Sequence, residues 1–112
     1  MPFSTTAKNI MLDALLITQV SAHSGDPGAS GLLNEISGGS PAYARQNITH
    51  SPAAAANRDS SDVPQFDVNG VTVAYIGYWA GAVFMGSQVL ATPEVFAGQG
   101  VYDLLDSDLS LT

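Results

Sequence analysis

The chain has no cysteine among its 112 residues, which removes disulfides, thiolate nucleophiles and cysteine-ligated metal centres from consideration. It is poor in charge. Asp, Glu, Lys and Arg make up 12% of the sequence, against the roughly 25% usual for soluble domains. Either a hydroxyl- and amide-rich β surface replaces the missing charge, or partners cover much of the surface, since interface cores are depleted in charge. Basic residues are scarcest: only Lys8, Arg45 and Arg58. They offset Asp13, Asp26 and Glu35, so the net charge of −7 lies in the second half, on Asp59, Asp62, Asp67, Glu94, Asp103, Asp106 and Asp108. A nucleic-acid ligand needs a basic face to displace phosphate counterions, and this chain cannot build one. If charge guides assembly, a basic partner would dock on the acidic half.

The length suits one domain, which buries enough surface to fold without a staple. Val68–Pro93 is uncharged and long enough to cross a bilayer. Gly77, Gly81 and Gly86 interrupt it, Val71, Val73 and Tyr75 alternate with period two, and no Lys or Arg flanks it, so a membrane span is not expected. A secretory signal is not expected either, because Asp13 breaks the apolar run Ile10–Val20.

Cap-type residues at Ser4–Thr6 precede Ala7, Ile10, Met11 and Ala14, one helical stripe, which predicts a helix over about 5–15. Period-two alternation then predicts a strand over Leu16–His23. Ser24-Gly25-Asp26-Pro27-Gly28 opens a long Gly/Ser-rich loop over about 24–42, with a helical turn around Leu32–Ile36. A loop of that length is functional or is ordered by a neighbour. Tyr43–Thr49 reads as a second strand. Asn69-Gly70 between alternating runs predicts a type I′ hairpin over about 66–79. Further strands are expected over Ala82–Leu90, Val101–Leu105 and Leu109–Thr112, with Pro93–Phe96 as turn or edge material. The pattern predicts a mainly β fold, a small β-sandwich or barrel-like single domain with one short N-terminal α-helix.

Little points to chemistry. His23 and His50 with Asp26 or Glu35 could bind a divalent ion. Their spacing fits no metal motif, and a strand-end histidine bonded to a loop carbonyl is the better reading. No G-x-S-x-G elbow supports a serine nucleophile, and Gly98-Gln99-Gly100 lacks the context of a phosphate cradle. No catalytic residue, cofactor or metal is therefore assigned. Tyr43, Arg45, Tyr75, Tyr78, Trp79 and Phe84 are the candidate packing or interface residues. The aromatics among them form either β core or a patch for protein or sugar.

Several phrases resemble small virion proteins of actinobacteria-infecting phages, described as tail fibre or minor tail proteins. They are Phe3–Asn9 with Leu12–Leu15, Val20–Gly28, Gly38-Gly39-Ser40-Pro41-Ala42-Tyr43-Ala44-Arg45-Gln46, Phe66-Asp67-Val68, Ile76–Trp79 and Phe96–Gly100. The chain departs from that pattern in its Asn-Gly turn and acidic C-terminal part. The resemblance implies a non-enzymatic virion component, located in the particle and packed against copies of itself and other virion proteins. Two alternatives stay open: a capsid decoration protein, and a host cell-wall glycan-binding module using Tyr75, Tyr78 and Trp79.

Overall fold

Ser4 caps the helix as its sequence predicts: the hydroxyl accepts the Ala7 N–H at 3.1 Å, satisfying one donor that the first turn leaves open. The computed structural model describes residues 3–55, 57–58, 63–104 and 109–110. Helix α1 spans Thr5–Ala14 and seats Leu12 in the core. Leu16 follows with a φ of 53°, a left-handed residue that closes the helix, so strand β1 begins only at Gln19 and runs to His23.

The remaining strands are β2 (Gln46–Asn47), β3 (Asn57–Arg58), β4 (Gln65–Asn69), β5 (Thr72–Ala80), β6 (Val83–Val95), β7 (Gln99–Asp103) and β8 (Leu109–Ser110). All pairings are antiparallel. A four-stranded sheet has the order β2-β1-β5-β6, and β4-β7 and β3-β8 form two-stranded ribbons. The mainly β class with one short helix is as the sequence predicts. The expected strand ends at Leu105 and Thr112, and the acids Asp59, Asp62, Asp106 and Asp108, lie outside the described residues.

The hairpin expected at Asn69-Gly70 does not form. Strand β4 pairs with β7, while β5 pairs with β1 and β6. A type I′ turn needs positive φ at both central residues, and here only Gly70 has it, at 59°. The turn instead carries the chain between layers, which lets Phe66 and Val68 bury fully against the main sheet. The hairpin lies one strand later. Gly81 (φ 61°) and Ala82 join β5 to β6 in the pattern of a type II′ turn. The uncharged stretch that resembled a span in length is mostly this hairpin, and no described helix is long and apolar enough to cross a membrane.

Strand β2 keeps only two residues of the expected Tyr43–Thr49, because Tyr43 and Arg45 are drawn into side-chain contacts described below. No helical turn forms around Leu32–Ile36. Asn34 takes a φ of 59°, and Glu35 makes a bridge to His23 instead.

The core lies between the main sheet and the β4-β7 ribbon. Val20, Ala22, Ile76 and Tyr78 face Phe66, Val68 and Tyr102, with Leu12, Ile17, Ile36 and Ile48 closing the sides. Phe66 sits between two rings, stacked on Tyr43 at 6.0 Å and tilted against Tyr102 at 6.4 Å. Replacing Phe66 with Ala should lower the unfolding free energy by about 3–5 kcal/mol, the range for a buried aromatic. Ile10→Ala, at an exposed helix site, should change it by no more than about 0.5 kcal/mol. Urea unfolding followed by circular dichroism checks both.

Candidate functional site

Successive residues of a strand face opposite sides of a sheet, so a strand buried on both faces has two separate tasks. In β1 and β5 the pairs Val20–Tyr78 and Ala22–Ile76 face the core. Ser21, opposite Gly77, and His23, opposite Tyr75, face the other way together with Trp79. Loop 24–36 lies over this second face.

The polar groups there form a closed chain. His23 Nδ1 lies 2.9 Å from Leu33 O, and a carbonyl can only accept, so Nδ1 carries the proton. His23 Nε2 is then an acceptor, and the Ser21 hydroxyl donates to it at 2.7 Å. The Trp79 indole N–H donates to Ser21 Oγ at 2.8 Å. The Trp79 indole, the Ser21 hydroxyl and both His23 nitrogens thus each have a partner, as burial demands. Gly77 leaves the room for it: a β-carbon there would collide with Ser21 Oγ and lie 3.0 Å from His23 Nε2.

A second cluster abuts the first. Arg45 donates to Glu35 through Nε and Nη2, both at 2.9 Å, in the bidentate geometry that strengthens such pairs. Tyr43 donates its hydroxyl to Glu35 Oε2 at 2.8 Å while accepting the Ala22 N–H at 3.0 Å. The Arg45 guanidinium lies 3.7 Å over the Trp79 ring, and Phe84 meets that ring edge-on at 5.1 Å. Burial pushes the Glu35 carboxyl up. The hydrogen bonds from Arg45 and Tyr43, with the Arg45 charge, outweigh it and hold the group below its ordinary 4.5. Burial, joined by the Glu35 carboxylate, raises the Tyr43 phenol against the opposing Ala22 N–H, so it stays a donor.

The long loop is thus tied down within the chain. Gly28 N–H bonds Asp26 Oδ1 at 2.8 Å, Leu33 N–H bonds Pro27 O at 3.1 Å, and Asn34 Nδ2 bonds Asp26 O at 3.1 Å. Gly31 packs directly on the Phe84 ring, where any β-carbon would overlap it. Farther on, Gln99 of β7 grips the loop at both ends of its amide, accepting from Ser40 N–H and donating to Pro41 O.

Ser21 and His23 have the spacing of a nucleophile and its base, but the arrangement cannot turn over a substrate. Both are fully buried, the Ser21 oxygen is occupied by the indole, and a carbonyl rather than a carboxylate orients the imidazole. His23 is the strand-end histidine bonded to a loop carbonyl that the sequence suggests. Among the described residues no three histidine or carboxylate side chains gather as a metal site.

Of the six candidate residues, Tyr43, Arg45, Trp79 and Phe84 meet around this network. Tyr78 lies on the core face, its hydroxyl bonded to Gln88 Oε1 at 2.8 Å, and Tyr75 is half-buried opposite His23. Trp79 is 3% exposed and Tyr78 6%. Neither presents a ring face on which a sugar could stack. Sequence reasoning missed Ser21 and the ion-pair role of Glu35. The available signal for Ser21 was a small polar residue inside a strand that the fold buries on both faces.

The model of the family "Podophage GP4 fiber I protein gp80" matches residues 2–102, nearly the whole chain. The chain belongs to this family. It is therefore a member of a phage fibre family, and its role is that of a structural virion component. No curated protein matches the sequence.

Ser21→Ala should orphan both His23 Nε2 and the Trp79 indole and destabilise the fold by about 2–6 kcal/mol, at about 1–3 for each unsatisfied buried group. Thermal and urea unfolding measure it. Glu35 has a lowered folded-state pKa, so its contribution is present above about pH 4.5 and is lost as pH falls through the folded value. The stability gap between wild type and Glu35→Gln should therefore narrow on acidification below that point. A gap independent of pH between neutral and strongly acidic conditions would contradict the ion-pair assignment.

Proposed function

We propose that the chain is a non-enzymatic subunit of a phage tail fibre, assembled with copies of itself and with neighbouring tail proteins. The family match over residues 2–102 carries this reading. The phrases Val20–Gly28 and Gly38–Gln46 support a host among the actinobacteria. The structure makes sense of both: they contain the Ser21–His23 pair, the Asp26 turn and the Tyr43–Arg45 clamp, so they are the segments that fix the long loop.

The physical character of the domain supports a packing role. Its polar side chains on the second face are spent on one another, and its loops are held by internal bonds rather than left to a ligand. Such a domain presents a fixed surface to neighbours without the entropy loss of ordering a loop at assembly. Only three basic residues are available, and Arg45 is committed to Glu35, which leaves little basis for contact with packaged nucleic acid.

Quantitative mass spectrometry of purified particles, with immunogold labelling, tests the assignment. The expected result is a protein present far below the major capsid protein in copy number, with label at the tail. Stoichiometry matching the major capsid protein with label over the head would replace the fibre reading by capsid decoration. Absence from purified particles would reject a virion role.

A further inference from the structure

The main sheet ends differently on its two sides. On one side β2 has only two paired residues, and the chain around it is capped by the Glu35–Arg45 ion pair and by Glu35 bridging His23. Short edges and charge are ordinary defences against unwanted strand pairing. On the other side lies β6, a strand of thirteen residues from Val83 to Val95. Among the described residues, none pairs with its outer edge.

The outer edge of β6 lacks most of those defences. From Val83 to Pro93 it carries no charged side chain, and its first proline is Pro93. Its pairing with β5 is regular over Gly86–Val89, opposite Tyr78–Tyr75. Irregularities bracket this stretch, one beside Trp79 and Phe84, the other where residues 90–93 bulge out before Glu94 and Val95 pair again with Val73 and Thr72. Val83 and Val89 are each 61% exposed and Met85 42%. A bare row of backbone donors and acceptors flanked by exposed aliphatics is a template for another strand.

We propose that this edge pairs with β6 of a second copy, antiparallel across a twofold axis, to make one continuous eight-stranded sheet. The inference rests on the reading of the chain as a self-assembling virion subunit and locates the contact. Two observations select a second copy as the occupant. A chain of net charge −7 repels its own copies, so a self-interface must lie where charge is absent, and the Val83–Pro93 edge is such a place. The opposite edge of the main sheet is short and capped, and the strands of the two ribbons are five residues or fewer, so none matches the thirteen-residue β6 in length for head-to-tail growth. Pairing β6 with β6 is isologous and closes at two. The flanking bulges set the length of the pairing and keep it from running on along the strand.

Sedimentation velocity of the purified full chain over a range of concentrations, with amide hydrogen exchange at the two extremes, tests this. The expected result is a dimer that dissociates on dilution, with exchange over residues 83–89 slowed only in the dimer. Ser87→Lys with Val89→Lys places paired cations across the axis at exposed sites. It should raise the dimer Kd by about tenfold or more while leaving the circular dichroism spectrum and melting temperature near those of wild type. A wild-type chain that stays monomeric at all concentrations overturns the proposal. So does an oligomer whose exchange protection lies outside residues 83–95, whether or not the double variant folds. Particle mass spectrometry tests the virion role separately, so a monomeric chain found in the tail would sink the edge pairing alone.

Discussion

Trp79 is held from three directions: its N–H by Ser21, one ring face by Arg45, and an edge contact from Phe84. Each of these partners is bound in turn to a different part of the long loop. Ser21 reaches Leu33 through His23, Arg45 reaches Glu35, and Phe84 receives Gly31. A loop with no strand of its own is thereby fixed by one indole and the groups around it. The net gain from each neutral hydrogen bond is small, about 0.5–1.5 kcal/mol, whereas an orphaned buried partner costs about 1–3. The network therefore acts mostly by excluding other arrangements, since any shift of the loop leaves a buried donor or acceptor unmatched.

The same arrangement settles how a chain this short covers a four-stranded sheet. The β4-β7 ribbon and helix α1 bury one face with aliphatic and aromatic side chains. The loop covers the other through the Leu33 carbonyl, Gly31 and the Glu35 carboxylate. The central strands β1 and β5 are buried on both sides, and little chain remains to cover β6, whose residues are mostly exposed. The openness of β6 follows from where the loop is anchored. Phe84, at the start of β6, is the residue on which Gly31 packs.

Local signals in the sequence were readable where one residue type decides the geometry. Ser4 as a cap and Asp26-Pro27-Gly28 as a turn both act through their own backbone or the next few residues. The Asn69-Gly70 turn was visible, but not its consequence, because burial of Phe66 and Val68 against a distant layer outweighed the local preference for a hairpin. In the strand expected over Tyr43–Thr49, period-two alternation would put Tyr43 and Arg45 on one face. They part instead, Tyr43 onto Phe66 on the core side and Arg45 onto Trp79 on the other, while both hold Glu35. That outcome depends on where a glutamate eight and ten residues earlier meets β1, which period-two patterning does not encode. The aromatic cluster was ambiguous for the same reason: a ring's exposure depends on which loop crosses it.

Low charge takes on a definite meaning in this fold. Of the three basic residues, Arg45 is neutralised by Glu35 and seated on Trp79, so it serves the interior of the domain rather than its surface. The surface then carries acid, hydroxyl, amide and exposed aliphatic groups, with very little cation to pair with the acids of a neighbouring copy. The self-pairing proposed above draws on backbone pairing and apolar burial, which are insensitive to net charge where no acid is near. In the main sheet the edge that meets this condition, long and free of charge, is the Val83–Pro93 part of β6. The scarcity of cations and the bareness of that edge are thus two aspects of one constraint: a chain that commits its guanidinium to fixing a loop has few cations left to pair with acids elsewhere, and the edge proposed for self-pairing is one that needs none.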